Sequence, residues 1–314
     1  MTLLFVAPGW DPAPWRESFA NTLPGHDFAV WSEPFDPNDI RYALAWHPPA
    51  GLFRNLPHLR AVLSLGAGVD HLLADPELPD IPIVRVIDID LTARMSEWVV
   101  LNVLLHHRRL LSYQGQQNAR QWHDLPDQPA AKDVRVGVLG LGELGTDAAV
   151  KLSAIGFDVA GWSRRPKTDA PVRHFAGLGE RDAFLARTDI LVVLLPLTPD
   201  TRGILNRNLF ARLARDGRIG GPVLINAGRG GLQVERDILA ALDDGILAGA
   251  SLDVFEREPL PKTSPLWRHP RVVITPHNAS VSDPAAIATS LAADIRRIEA
   301  GQQPLGLVDR STGY

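Results

Sequence analysis

The sequence contains no cysteine. That absence excludes a disulfide framework, a thiolate metal site and a cysteine nucleophile, so catalysis has to use other groups and no metal site is expected. Lysine is nearly as scarce, confined to Lys132, Lys151, Lys167 and Lys262; the arginine bias reads as codon composition rather than function. No run of like charge occurs and the formal net charge is -4, so the basic footprint required by nucleic acid or an anionic membrane is missing. The longest apolar stretch, Ile190 to Leu197, is far short of a membrane span. The opening MTLLFVAPGW has no basic segment ahead of a longer apolar core, unlike a secretory leader. These absences predict a soluble, cytoplasmic protein without nucleic-acid or membrane partners.

What is present is an ordinary globular composition, 45% hydrophobic and 22% charged over 314 residues. At about 150 residues per domain this favours two domains. Short apolar runs at Leu3 to Ala7, Phe28 to Trp31, Ala43 to Trp46, Ala61 to Leu65 and Ile83 to Ile87 lack strict alternation and read as buried parallel strands. Helix candidates lie between them, at Ala13 to Leu23 and Val69 to Asp75. The longest helical stretch runs from about Thr92 to Ser112, and Gln114 to Pro129, rich in Gln, Asp and Pro, reads as a linker or excursion.

A second series then begins, with strands predicted at Val134 to Leu139, Val159 to Trp162, Ile190 to Leu195, Val223 to Asn226, Gly249 to Asp253 and Val272 to Thr275. Six strands in this arrangement suit a dinucleotide-binding sheet. The last amphipathic helix, Pro284 to Gly301, is expected to return to the first domain. The fold class is therefore α/β, two doubly wound parallel-sheet domains. A Rossmann-like domain over 100–280 is inserted into a flavodoxin-like domain made of 1–99 and 281–314.

Gly140, Gly142 and Gly145 follow an apolar strand and open a helix. In that context GxGxxG signals pyrophosphate binding: a tight turn, a close backbone approach, and a helix N-terminus that supplies amides and partial positive charge. About 20 residues on, an NAD-selective site places a carboxylate against the ribose 2′-hydroxyl. Here the position holds Ser163, followed by Arg164, Arg165 and Lys167. Cations in place of a carboxylate suit a 2′-phosphate, so NADP(H) is the preferred cofactor and NAD(H) the alternative.

Three polar residues follow strands of the second series: Arg229 in Asn226-Ala-Gly-Arg-Gly230, Glu258 in Asp253-Val-Phe-Glu-Arg-Glu-Pro259, and His277 in Thr275-Pro-His-Asn-Ala279. Their chemistry fits reduction of a 2-oxo acid. Arginine is a planar donor for the carboxylate and carbonyl. Histidine donates a proton near neutrality, and a neighbouring carboxylate orients the imidazole and favours its charged form.

These motifs resemble the signature of the D-isomer-specific 2-hydroxyacid dehydrogenase family, over essentially the whole chain. The resemblance makes Arg229, Glu258 and His277 the catalytic set. It adds Glu143, Leu144, Pro196 and Asp253 to the cofactor-binding candidates, Asp253 either contacting the nicotinamide carboxamide or capping a turn. It likens Leu65-Gly-Ala-Gly-Val-Asp70 to the loop whose amides hold the substrate carboxylate, hence Gly66, Ala67 and Gly68. Asn278 departs from the commoner family pattern, in which an apolar residue follows the histidine. Ala45-Trp-His-Pro-Pro49 and the Trp162-Ser-Arg run resemble the A-type branch that reduces glyoxylate to glycolate and hydroxypyruvate to D-glycerate with NADPH. That branch implies Trp46 and His47 near the substrate, a homodimer, and Trp122 either at a partner's active-site mouth or in ordinary packing. Two alternatives stay open: another family member acting on a longer 2-oxo acid, phosphonate or formate, and a nicotinamide-regulated, corepressor-like binding protein without catalysis.

Overall fold

The computed structural model describes residues 1–314 with the exception of 282. It divides into two compact units, Met1–Leu91 with Val281–Tyr314, and Thr92–Ser280. The first unit contains β1 (Thr2–Val6), α1 (Ala13–Thr22), β2 (Asp27–Val30), β3 (Ile40–Ala45), β4 (Ala61–Ser64), α2 (Asp70–Leu73) and β5 (Ile83–Val84). Its sheet is parallel throughout, in the order β2-β1-β3-β4-β5, the flavodoxin-like arrangement. Every residue of β4 is buried, which explains why its sequence is apolar without alternation. Helix α1 starts where Asp11 Oδ1 accepts the Ala13 amide at 2.9 Å. It buries Trp15 and Phe19, which meet Phe5 and Phe28 at ring separations of 5.8 and 6.2 Å.

The long helical stretch is two helices, α3 (Ile89–His107) and α4 (Leu110–Asn118), where one helix to residue 112 and then a linker are expected from the sequence. The break is at Arg109, whose φ is +56°, a left-handed conformation that no helix interior tolerates. Its guanidinium donates to the carbonyls of Pro126 and Asp127 at 2.8 and 3.1 Å, tying the break to the following loop. Helix α3 also sets the division of the chain. Met95, Trp98, Val99 and Val103 pack with Val134, Val136 and Val138, so α3 from Thr92 onward groups with the second compact unit.

The second unit continues with β6 (Arg135–Leu139), α5 (Glu143–Ile155), β7 (Asp158–Ser163), β8 (Arg173–Ala176), α6 (Gly177–Ala186), β9 (Ile190–Val193), α7 (Arg207–Phe210), β10 (Val223–Asn226), α8 (Glu235–Asp243), β11 (Gly249–Leu252) and β12 (Val272–Ile274). The sheet is parallel in the order β12-β11-β10-β9-β6-β7-β8. It has seven strands where the sequence leads one to expect six. The extra strand, β8, is a four-residue edge element with only Phe175 buried, too short and too polar to register as a buried parallel strand.

The final helix, α9 (Pro284–Glu299), belongs to the first unit. It buries Ile287, Leu291 and Ile295. Ser290 Oγ donates to the Ile87 carbonyl at 2.9 Å, and Glu299 meets His26 at 2.9 Å. Among the described residues no helix is long and apolar enough to cross a membrane. Asp283 caps α9 by accepting from the amides of Ala285 and Ala286, both at 3.0 Å. Replacing it by Ala is expected to lower stability by about 1 kcal/mol in urea unfolding; an unchanged midpoint would show that the cap contributes nothing.

Candidate active site

In the seven-stranded sheet the chain leaves β6 toward β7 on one side and returns to β9 on the other. Such a switch point opens a crevice at the carboxyl ends of the two strands. Gly140 follows β6 with φ +109°, and a Cβ there would lie 2.8 Å from the Leu194 carbonyl oxygen. At Gly145 a Cβ would stand 1.8 Å from the Gly140 oxygen, so α5 starts this close to the turn only with glycine. Gly142 is different: its Cβ would meet nothing within 4 Å. No internal packing requires glycine at Gly142, and the open space lies at the N-cap of α5. The first bond back from the helix is Thr146 N to the Gly142 carbonyl, 2.9 Å, so the amides of Glu143, Leu144 and Gly145 precede it and suit an anion. Pro196 follows β9 on the other side of the switch, and its carbonyl accepts Thr201 Oγ1 at 2.7 Å.

At the end of β7, Ser163 Oγ donates to the Arg165 carbonyl at 2.7 Å and lies 2.8 Å from His174 Nε2. Arg164, Arg165 and Lys167 are exposed. A neutral hydroxyl where NAD-type sites hold a carboxylate, with three exposed cations beside it, fits a dinucleotide carrying a 2′-phosphate.

The three residues expected to be catalytic lie in the loops after β10, β11 and β12. His277 Nδ1 and Glu258 Oε2 are 2.7 Å apart, and Glu258 Oε1 accepts the Phe255 amide at 3.0 Å. Burial pushes the Glu258 carboxyl up, but the bonds from His277 and Phe255 and the charges of His277 and Arg229 outweigh it, leaving its pKa below the usual value. Glu258 is therefore ionised at neutral pH. Arg229 is half-buried, with one guanidinium nitrogen donating to the Gly228 carbonyl at 2.8 Å.

The loops are held together by groups that the sequence reading passes over. Asn226 and Gln233 are buried. Asn226 Oδ1 accepts the Gly228 amide at 3.0 Å, while its Nδ2 donates to Gln233 Oε1 at 2.9 Å and to the Arg229 carbonyl at 3.3 Å. Gln233 Nε2 then donates to the Val254 carbonyl at 3.0 Å, linking the Arg229 loop to the loop that carries Glu258. The one available signal is a glutamine amid apolar residues in Gly231-Leu-Gln-Val234. Gly230 permits this approach, since a Cβ there would lie 1.7 Å from the Phe255 oxygen.

Asp253 caps the His277 turn. Its Oδ1 accepts Thr275 Oγ1 at 2.5 Å and the Asn278 amide at 3.0 Å, and its Oδ2 accepts the Ala279 amide at 3.0 Å. Of the two roles expected for Asp253, capping is the one its bonds display. Trp98 Nε1 reaches Thr275 Oγ1 at 3.1 Å, connecting α3 to the same turn. His277 itself sits at φ +53°, an uncommon conformation for a non-glycine residue. The Asn278 side chain is exposed while its amide is engaged by Asp253.

Within the first unit, the loop after β4 holds Gly66, Ala67 and Gly68. Ser64 Oγ donates to the Gly68 carbonyl at 2.9 Å and accepts the Gly66 amide at 3.3 Å. Glycine at 66 has a packing reason: a Cβ would lie 2.6 Å from the Trp46 ring. Trp46 stacks on Trp10 at 5.9 Å and meets His47 and His71 at 5.0 and 4.8 Å.

Two outcomes test this geometry. Gly230→Ala is expected to lower stability by about 1–3 kcal/mol; an unaltered urea midpoint would contradict the close approach. Because Glu258 ionises more readily folded than unfolded, its pairing contributes stability above the usual carboxylate pKa, lost as pH falls through the lowered folded value. Glu258→Gln should accordingly lose stability at neutral pH while approaching wild type in acid, and a loss equal at every pH would refute the pairing.

Comparison with known proteins bears on this site. Residues 100–279 match the family described as D-isomer specific 2-hydroxyacid dehydrogenase, NAD binding domain. The chain is 42% identical, over 100% of both sequences, to glyoxylate/hydroxypyruvate reductase A of Serratia proteamaculans. Among solved structures it is similar to the NADPH-dependent glyoxylate/hydroxypyruvate reductase of Sinorhizobium meliloti in complex with NADP and sulfate, with 47% identity, TM-score 0.94 and 100% of each chain covered. It is also similar to a D-isomer specific 2-hydroxyacid dehydrogenase of Xanthobacter autotrophicus in complex with NADPH and MES, at 42% identity and TM-score 0.94, covering 100% of this chain and 99% of that one. The chain belongs to the D-isomer specific 2-hydroxyacid dehydrogenase family.

Proposed function

We propose that the protein reduces small 2-oxo acids, glyoxylate to glycolate and hydroxypyruvate to D-glycerate, with NADPH preferred over NADH. The observation that carries this reading is the 2.7 Å His277–Glu258 pair with Arg229 acting on the same carboxylate, in a chain 47% identical along its full length to an NADPH-dependent reductase of these acids. Gly140, Gly142, Glu143, Leu144, Gly145 and Pro196 would hold the pyrophosphate and its surroundings, and Arg164, Arg165 and Lys167, on the turn that Ser163 opens, would take the 2′-phosphate. The chemistry that a reduced nicotinamide would supply, when held by these residues, is a hydride for the substrate carbonyl carbon.

The remaining work falls to side chains of this chain. Arg229 draws in the substrate carboxylate and polarises the carbonyl. The bond at Nδ1 fixes Nε2 of His277 as the nitrogen that passes a proton to the carbonyl oxygen, which becomes the product hydroxyl. Glu258, ionised, orients the imidazole through the bond at Nδ1. Asp253 enters through the turn it caps, and in the first unit the backbone amides of Gly66, Ala67 and Gly68, beside Trp46, suit an anionic group. The proposal includes a homodimer, for which the second unit offers exposed Leu101, Val150, Ile155 and Trp122.

An NADPH-oxidation assay over a panel of 2-oxo acids tests the reading, with fastest turnover expected for glyoxylate and hydroxypyruvate. Turnover only with longer acids would redirect the substrate assignment, and absence of turnover would favour a binding protein. His277→Ala should keep NADPH binding and lose about 10²- to 10⁴-fold in kcat; near-normal turnover would remove the proton-donor role. Changing Arg164 and Arg165 together to Ala should weaken NADPH far more than NADH, and equal losses would sink the cofactor preference.

A further inference from the structure

The turn that presents Arg164 and Arg165 does not stand by itself. It leaves the end of β7 and is braced from β8, the strand that the sequence pattern conceals. Ser163 Oγ has one proton, which it donates to the Arg165 carbonyl at 2.7 Å. The contact to His174 Nε2 at 2.8 Å must therefore run the other way, with the imidazole N–H donating to the hydroxyl oxygen. A second bond joins the same two segments: Trp162 Nε1 donates to the Gly177 carbonyl at 2.8 Å. Strand pairing brings Ser163 opposite Ala176 and Trp162 opposite Phe175, so these bonds anchor the last two residues of β7 immediately before the cationic run.

His174 is half-buried. Burial, the main influence, holds its pKa below the ordinary value, with Glu180 opposing and Lys167 reinforcing the shift. Near neutral pH it is therefore an uncharged donor. Glu180 is itself engaged, accepting the Ala176 amide at 2.6 Å. The relay imidazole N–H to hydroxyl to carbonyl ends on the backbone of Arg165, and so restricts the direction in which the two guanidinium groups leave the strand. Two long arginine side chains have much conformational freedom to lose on binding a phosphate, and an ordered backbone at their base reduces that loss.

We propose that His174 is a positioning residue for cofactor selectivity: through Ser163 it orders the Arg164–Arg165 turn so that the protein favours a dinucleotide bearing a 2′-phosphate over one with a free 2′-hydroxyl. The inference rests on the NADPH-dependent reading above and adds to it a residue outside the cation cluster. It assigns His174 no contact with the cofactor or the reacting atoms.

The test measures kcat/KM for NADPH and for NADH with saturating glyoxylate in wild type, His174→Phe, His174→Gln, Ser163→Ala and the Ser163→Ala/His174→Phe double variant. Wild type serves as the check on the underlying reading: if it shows no preference for NADPH, that reading fails, and the inference with it. Given a preference, His174→Phe should reduce the NADPH/NADH ratio about tenfold, the equivalent of one lost hydrogen bond. His174→Gln, which can still donate to Ser163, should recover most of it. Ser163→Ala should lose at least as much as His174→Phe, and adding His174→Phe to it should cost nothing further. An unchanged ratio in His174→Phe, or equal losses with both cofactors, would overturn the proposal while leaving the reductase assignment standing. Should His174→Phe not fold, the Ser163→Ala ratio and the His174→Gln ratio decide the matter: a normal ratio in Ser163→Ala, or one in His174→Gln as low as in Ser163→Ala, would contradict the relay.

Discussion

The 2.7 Å contact between His277 Nδ1 and Glu258 Oε2 is the constraint around which the second unit is arranged. A carboxylate and an imidazole carried on different loops meet at this distance only if both loops are fixed. The Glu258 loop is fixed by Gln233, reaching the Val254 carbonyl, and by the contact of Gly230 with Phe255. The His277 turn is fixed by Asp253, whose two oxygens accept two backbone amides and the Thr275 hydroxyl. Both anchors are buried, where an unmade hydrogen bond is costly, so the alternatives to this geometry are penalised rather than merely less favoured.

Parallel strands make that arrangement available. Each of β10, β11 and β12 ends on the same side of the sheet, and each is followed by a loop carrying one of Arg229, Glu258 and His277. Packing of apolar residues on both faces holds the strands. Polar side chains just beyond their ends then determine where the loops go. The same division of labour recurs around β6 and β7, whose strands are largely apolar while Gly142, Ser163 and the exposed cations that follow lie at or just beyond their ends.

The buried strands were legible because burial on both faces leaves near-continuous apolar runs, and the glycine turn because its spacing reflects two steric requirements, at Gly140 and Gly145. Arg229, Glu258 and His277 could be picked out because each sits just past such a run. Strand β8 was not legible: Arg173-His-Phe-Ala176 pairs on one side only and buries one residue. The break at Arg109 was hidden as well, since a left-handed arginine has no local sequence signal and depends on carbonyls of the 126–127 segment. Gln233 and Asn226 act through contacts between loops, which no spacing rule encodes. At Gly66 the space that glycine leaves is taken by the Trp46 ring, a packing requirement that the spacing of the loop does not encode.

The central claim is that Glu258 acts on the reaction by holding His277 in place. Turnover of glyoxylate in Glu258→Gln, His277→Ala and the Glu258→Gln/His277→Ala double variant tests it most directly. Glu258→Gln should lower kcat while NADPH affinity stays near the wild-type value, and adding it to His277→Ala should cost nothing further, because the two side chains act as one unit. Wild-type turnover in Glu258→Gln, or a full additive loss on top of His277→Ala, would contradict the account.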